Sequence, residues 1–224
     1  MRLLSGPLSL FGSKAEIALR EKALAFTLER VPFSLALRYS PKHPDVVASN
    51  PKAQIPVLFD GATTVWDSTQ IFEYLEHRYP MPPLWPSDPA ARAIARQAEH
   101  HSDEVLFPLI ARLMSRETGA DARAATVVTL GSHWEALDRT LEQAPHIAGP
   151  FSYADIAVYL TLMFATLLGG GASDNLPALT GWRDRIAARP AVDRVCSDIV
   201  DYVAKRRVPN AAAIRPFAKG VHRA

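Results

Sequence analysis

The 224-residue sequence predicts an α/β part followed by an all-α part. Three observations carry that expectation. Short strand and helix patterns alternate as βαβ and then ββα over residues 1–80. Five prolines (Pro80, Pro82, Pro83, Pro86, Pro89) crowd the ten positions 80–89. Helical spacing runs through most of the remaining chain. Proline removes a backbone donor and restricts φ, so residues 81–89 read as a linker between a domain at 1–80 and one at 90–224. The Leu84-Trp85 pair inside the linker is expected to pin it against a surface.

Taken in order, Arg2 to Ser5 reads as a strand. Ser13 to Phe26 reads as a helix, with Ala15, Ala18, Leu19 and Lys22 at helical spacing. Phe33 to Leu37 reads as a second strand, and Tyr39 to Asn50 as irregular chain with room for one short helix. Val57 to Phe59 and Thr63 to Trp66 are a strand pair around the turn signal Asp60-Gly61. Ser68 to Tyr79 is a helix with Ile71, Tyr74 and Leu75 on one face. Five helices are expected beyond the linker, over Pro89–Leu113, Asp121–Leu141, Ser152–Leu168, Leu176–Ala188 and Pro190–Ala204. Ser152-Tyr153-Ala154-Asp155 is a capping box with Asp in the place of Glu or Gln. The last twenty residues carry Lys205, Arg206, Arg207, Arg215, Lys219 and Arg223 and read as a solvated basic terminus.

Composition narrows the function classes. The chain is 48% hydrophobic and 21% charged, as expected of a globular protein, and its formal charge is only +2. Residues 1–80 carry 9 basic and 8 acidic side chains and the remainder 16 and 15, so no broad positive field exists to hold nucleic acid. One cysteine, Cys196, excludes an internal disulfide framework and a Cys-x-x-Cys redox pair. The seven histidines are scattered, and no metal site is expected. Charged Lys14, Glu16, Arg20 and Glu21 follow too closely on the first apolar residues for a signal peptide, and no stretch is long enough for a membrane span. The expectation is a cytoplasmic protein with no membrane partner.

Three segments can carry chemistry. In Gln54-Ile55-Pro56-Val57 the proline stands directly before a strand. It either begins an edge strand in the trans form or, as a cis bond, exposes the Ile55 backbone N–H and C=O to an extended ligand. Asp67 and Ser68 open a helix. They serve as its cap, or together clamp an amino-acid group, the helix start favouring a carboxylate and Asp67 an ammonium. Pro7 to Lys14 lies between the first strand and first helix. A hydroxyl there, Ser9 or Ser13, can donate to a thiolate, and helix starts lower thiol pKa values from ~8.5 to as little as ~3.5. Of the two serines, Ser13 is expected to cap the helix.

Five segments in order resemble the cytosolic glutathione S-transferases. Pro7, Ser9, Phe11, Lys14, Ala18, Leu19, Glu21 and Lys22 resemble the family's opening pattern. Asn50-Pro51 through Ile55-Pro56-Val57-Leu58, Asp67-Ser68 with Ile71, Tyr74 and Leu75, Phe151-Ser152 with Ala154-Asp155, and Trp182, Arg185 and Arg189-Pro190 resemble the others. The resemblance is to a serine-type, bacterial-looking member. It implies a thioredoxin-like glutathione-binding domain, then a C-terminal helical bundle domain, in a homodimeric detoxification transferase. It implies glutathione as co-substrate and no metal. Ser9 would stabilise the thiolate and Ile55 would bond the cysteinyl backbone beside Pro56. Asp67 and Ser68 would hold the γ-glutamyl end, and Gln54 with Lys42 or His43 the glycyl carboxylate. A small, mostly apolar electrophile would meet Leu10, Phe11, Val105, Pro108 and Arg112 over an interdomain cleft. Isomerisation, dehalogenation, ether cleavage and ligand binding without catalysis are alternatives on the same site. Three departures stand out. Ala53-Gln54 replaces a Gly-Lys pair, Asp67 replaces Glu, and Gly6 stands where Tyr or Ser is frequent.

Overall fold

The computed structural model describes residues 1–220, which divide into two compact units, one of Met1–Leu84 and one that begins at Trp85. In the first unit, strands β1 (Arg2–Ser5), β2 (Thr27–Arg30), β3 (Val57–Asp60) and β4 (Thr63–Trp66) make one mixed sheet in the order β2-β1-β3-β4. β2 runs parallel to β1; β3 is antiparallel to β1 and to β4. Helix α1 (Leu10–Glu21) connects β1 to β2. The short α2 (Pro44–Ser49) precedes β3, and α3 (Ser68–Arg78) follows β4.

Successive strand residues face opposite sides of a sheet. Leu3 and Leu58 are register partners, as are Leu4 and Val57, and all four are fully buried, so both faces are covered. Leu4 and Val57 pack with Val31 and with Val46 of α2, against which Tyr39, Ile55, Phe59 and Trp66 also lie. α1 and α3 pack on each other. Gly61 takes a φ of 59° in the β3–β4 turn, a conformation that suits glycine.

Lys22 closes this unit. Its ammonium donates to the carbonyls of Tyr79 (2.8 Å) and Pro82 (2.9 Å) and pairs with Glu76 at 2.9 Å. Glu76 also accepts the Leu84 N–H at 3.2 Å. The end of α1 is thereby tied to the chain that leaves α3.

Two expectations are corrected here. The second strand is Thr27–Arg30, not Phe33–Leu37; in the latter segment the chain folds back on itself through a Ser34–Arg38 bridge, and Leu35 and Leu37 are exposed. Pairing with β1, extended by Thr27 N–H to Met1 C=O and Val31 N–H to Ser5 C=O, selects a segment with one aliphatic residue over a more apolar one. The first helix starts at Leu10, a turn earlier than Ser13, and ends at Glu21. Its end is marked by Ala23 at φ 51°, where no glycine signals the stop.

The second unit contains α4 (Pro89–His101), α5 (Phe107–Met114), α6 (Ala120–Leu141), α7 (Tyr153–Leu167), α8 (Pro177–Ala187) and α9 (Pro190–Lys205). The single helix expected over Pro89–Leu113 is divided by a π turn at Ser102–Leu106, in which the Phe107 N–H reaches back five residues to Ser102. Pro108 has no N–H, and its ring clashes with the carbonyl four residues earlier in a regular α-helix; the wider turn relieves this. Trp85 and Tyr153 meet edge to face at 4.8 Å.

α7 is apolar on nearly every side and nearly all buried, so it is the core of this unit. Its capping box forms as expected. The Asp155 carboxylate accepts the Ser152 N–H (2.9 Å), the Ile147 N–H (3.2 Å) and the Trp182 indole N–H (2.8 Å), the last tying α8 to the start of α7. Burial pushes the Asp155 carboxyl up from its ordinary value, and these three donors oppose that rise.

The basic terminus is not loose over its described part. Residues Ala211–Phe217 form a 3₁₀ helix with Ile214 and Phe217 buried, and the Phe217 carbonyl accepts from the Tyr159 hydroxyl at 2.7 Å. Asp193 accepts the N–H groups of Lys219 and Gly220. Arg223 lies outside the described residues.

Asp60 offers a test of how the first unit responds to acid. Hydrogen bonds from the hydroxyls of Tyr79 (2.5 Å) and Tyr74 (2.8 Å) hold its carboxyl below the ordinary 3.8, against desolvation. The unfolded chain therefore takes up this proton first, and stability falls on acidification. The contribution is complete above pH 3.8 and is lost as pH falls through the lower folded value. Asp60→Asn is expected to flatten the melting temperature against pH below about pH 4. Parallel curves for the two proteins would show that the tyrosine–carboxylate bonds contribute nothing there.

Candidate functional site

The candidate residues of the first unit lie in or beside four connections: β1 to α1, β2 to α2, α2 to β3, and β4 to α3. In the first, residues 6–9 turn so that the Ser9 N–H reaches the Gly6 carbonyl at 3.3 Å. Ser9 is extended at φ −103° and is the N-cap of α1, its Oγ accepting the Gly12 N–H at 3.0 Å. A serine hydroxyl has one proton and two lone pairs. The cap uses one lone pair, orients the oxygen, and leaves the proton to donate to an anion at the helix start. Ser9 is 7% exposed.

The assignment of the cap to Ser13 is thus corrected to Ser9. Ser13 is one turn into the helix and fully buried, and its hydroxyl has no hydrogen-bond partner. Gly12 explains the crowding. A Cβ built there collides with Ser5 Oγ and falls 3.0 Å from Ser9 Oγ, so no side chain fits where α1 crosses the end of β1.

The Ile55–Pro56 bond is cis. The ladders that join β3 to β1 and β4 begin at Val57, so Ile55 stands outside them and is half-buried. The loop leading to it winds around buried Asn50, whose side chain donates to the Gln54 carbonyl (2.7 Å) and accepts the Lys52 N–H (2.9 Å). Asn50 was legible only as part of a pattern; its shaping of this loop is a contribution that sequence reasoning missed.

Asp67 has the unusual backbone φ 75°, ψ 133°, and its Oδ1 accepts the N–H groups of Thr69 (3.0 Å) and Gln70 (3.4 Å) at the start of α3. Strained non-glycine backbone is held where its surroundings demand it and clusters at ligand sites. Ser68, beside it, is buried.

Gln54 and Lys42 are exposed. His43 is committed elsewhere: Nδ1 accepts the Asp45 N–H at 3.2 Å as the cap of α2, and Nε2 lies 3.2 Å from Glu29 Oε1. Leu10 is buried and Phe11 half-buried at the start of α1, with the Lys14 ammonium 5.6 Å from the Phe11 ring. Val105, Pro108 and Arg112 belong to the second unit, on the π turn and α5. Val105 and Pro108 are exposed and Arg112 is exposed as well. Cys196 is buried in α9. Among the described residues no three His, Cys, Asp or Glu side chains gather as a metal site, and no helix is long and apolar enough to cross a membrane.

Residues 8–78 match the family model described as glutathione S-transferase, N-terminal domain, and residues 98–190 match glutathione S-transferase, C-terminal domain. Glutathione S-transferase 3 of Zea mays is 30% identical over 214 residues, covering 89% of this chain and 94% of the maize protein. The stringent starvation protein A homolog of Coxiella burnetii is 36% identical over 98 residues, 43% of either chain. Among solved structures, a sphingomonad glutathione S-transferase complexed with glutathione superposes with a TM-score of 0.75 at 28% identity, covering 87% of this chain and 96% of the other.

The contact at Gly12 sets a test. Gly→Ala inside a helix ordinarily stabilises by up to about 1 kcal/mol. Here Gly12→Ala is expected instead to destabilise by about 1–3 kcal/mol in chemical denaturation, because the added methyl overpacks against Ser5 and Ser9. Adding Ser5→Ala should recover part of the loss, since it removes the nearest atom. A stabilised Gly12→Ala protein would contradict the crowding.

Proposed function

We propose, for a chain that belongs to the glutathione S-transferase family, that the first unit binds glutathione and holds its thiolate for attack on a small, mostly apolar electrophile. The observation that carries this reading is Ser9, a nearly buried hydroxyl at the start of α1 with one lone pair engaged by Gly12 and its proton left to donate. Ser9 donates to the glutathione sulfur and stabilises the anion, helped by the positive end of the helix. It is not itself the nucleophile. The Ile55 N–H and C=O bond the cysteinyl backbone beside Pro56, and Asp67 and Ser68 receive the γ-glutamyl end. Gln54 and Lys42 stand near the glycyl carboxylate. Leu10 and Phe11 offer apolar contact to the electrophile. Thiolate formation and positioning supply the catalysis.

In this reading residues 1–80 are the glutathione-binding domain, joined through 81–89 to the helical domain at 90–224. The protein is a cytoplasmic homodimer acting in detoxification, without nucleic acid, membrane or metal. A second reading is a member of the family that binds without conjugating; the similarity to a relative named a stringent starvation protein A homolog, and not a transferase, keeps it in view. The two separate in one assay: a conjugating enzyme consumes glutathione with a panel of electrophiles, and a binding member raises its melting temperature with glutathione but consumes none.

Ser9→Ala tests the assigned role. A charge-assisted hydrogen bond contributes about 1.5–3 kcal/mol, so the pKa of bound glutathione should rise by about one to two units. Turnover at neutral pH should fall about ten- to hundred-fold with affinity for glutathione nearly unchanged, and raising the pH should restore much of the rate. Because Ser9 also caps α1, the same substitution should cost about 1 kcal/mol of stability. Ser13→Ala is the control and should leave the pH–rate profile in place. If Ser13→Ala moves the profile and Ser9→Ala does not, the hydroxyl has been assigned to the wrong serine.

A further inference from the structure

We infer that Tyr39 is a positioning residue of the thiolate site: seated against Gly6, it hooks the Leu8 N–H and holds the turn that presents Ser9. This rests on the proposed role of Ser9.

The first observation is steric. Gly6 is not among the glycines with positive φ, so its backbone does not require glycine. Space does. A Cβ at Gly6 would collide with Tyr39 Cε1 and lie 2.5 Å from both Cζ and Oη. The head of the phenol rests on the bare Gly6 backbone, in the place a side chain at position 6 would need. Gly6 is also one of the three departures from the family's patterns, and the one that falls in its opening segment. The side chain absent at position 6 is replaced in space by one that arrives from the β2–α2 connection, 33 residues later.

The second observation is the hydrogen bond. The Leu8 N–H donates to Tyr39 Oη at 3.2 Å. Two further bonds to this turn are long, 3.3 Å from the Ser9 N–H and 3.4 Å from Arg30 Nη1, both to the Gly6 carbonyl. Bonds of that length lie beyond the usual range for N–H···O and are weak. The bond at Leu8, the residue before Ser9, is the shortest of these three and ties the turn to a distant segment.

The third observation is the anchor at the other end of Tyr39. Its ring packs against the cluster of Leu4, Val31, Val46 and Val57 and lies tilted against Phe33, 4.7 Å between ring centroids. Ile55 packs on the same cluster. One apolar nucleus thus fixes both the residue proposed for the cysteinyl backbone and, through Tyr39, the turn proposed to present the hydroxyl to the sulfur. Ser9 is placed relative to Ile55 through this route as well as through α1.

Tyr39→Phe keeps the ring on Gly6 and removes only the acceptor for Leu8. Losing one neutral hydrogen bond should raise the pKa of bound glutathione by about half to one unit and lower turnover at neutral pH about three- to ten-fold. Glutathione affinity should change less than about two-fold, and higher pH should recover the rate. A merely structural role would not move the thiol titration. A double-mutant cycle on thermal stability, using Gly6→Ala, Tyr39→Ala and the pair, reads the seat independently of glutathione. Gly6→Ala should be strongly destabilising when Tyr39 is present and nearly neutral in Tyr39→Ala. Additive losses would overturn the seat. A wild-type thiol titration in Tyr39→Phe, with glutathione bound normally, would overturn the positioning role and leave Ser9 standing. Absence of a lowered thiol pKa in the unmodified protein would remove the reading of Ser9 and this inference with it.

Discussion

The first N–H groups of any α-helix have no partner within the helix, and the structure depends on how each start meets that need. In the second unit the answer is purely architectural. Ser152 and Asp155 close the start of α7, and the same carboxylate fastens α8 and the preceding loop. In the first unit the answer lies at the proposed site. Ser9 caps α1 and Asp67 caps α3, and these are the side chains to which ligand contacts are assigned. An oxygen that accepts from a helix N–H is held in one orientation before any ligand arrives. The same feature binds stability to function, because these atoms cannot be altered for one without disturbing the other.

Around Ser9 the chain is packed by subtraction. Gly12 lets α1 lie against Ser5, and Gly6 lets Tyr39 lie against the turn. Neither glycine needs an unusual backbone conformation; each is required because another segment occupies the volume of a side chain. The hydroxyl is thus held from within its own helix by Gly12 and from the far side of the sheet by the β2–α2 connection. Asn50 does comparable work for the loop before Ile55.

What was legible in the sequence was local. The β3–β4 hairpin, α3, the long α6 and the α7 capping box each announce themselves within a dozen residues through periodicity, a turn or a cap. β2 does not, because Thr27–Arg30 has one aliphatic residue, Leu28, and is selected by register with β1. The choice between Ser9 and Ser13 turned on where α1 begins, and it begins at Leu10 with Ser9 as its cap. His43 is engaged by Glu29, a partner 14 residues distant. The terminal segment was read by its charges, whereas Ile214 and Phe217 determine its packing. Of the site, the residue types and their order were visible; the contacts that orient them, Tyr39 above all, were made across the fold.

The π turn between α4 and α5 bears on which changes of length this chain can absorb. Such a turn holds about one residue more than the α turn it replaces, and each α-helical residue advances about 100° around the axis. A single-residue deletion within Ser102–Leu106 therefore need not sever the helix. Because the wider turn holds its extra residue within about one revolution, the deletion converts the bulge to regular winding and leaves Pro108 and Arg112 near the faces they now occupy, while restoring the clash of the proline ring with the carbonyl four residues earlier. Loss of one codon elsewhere in α4 or α5 has no such slack and would turn every residue beyond it by about 100°.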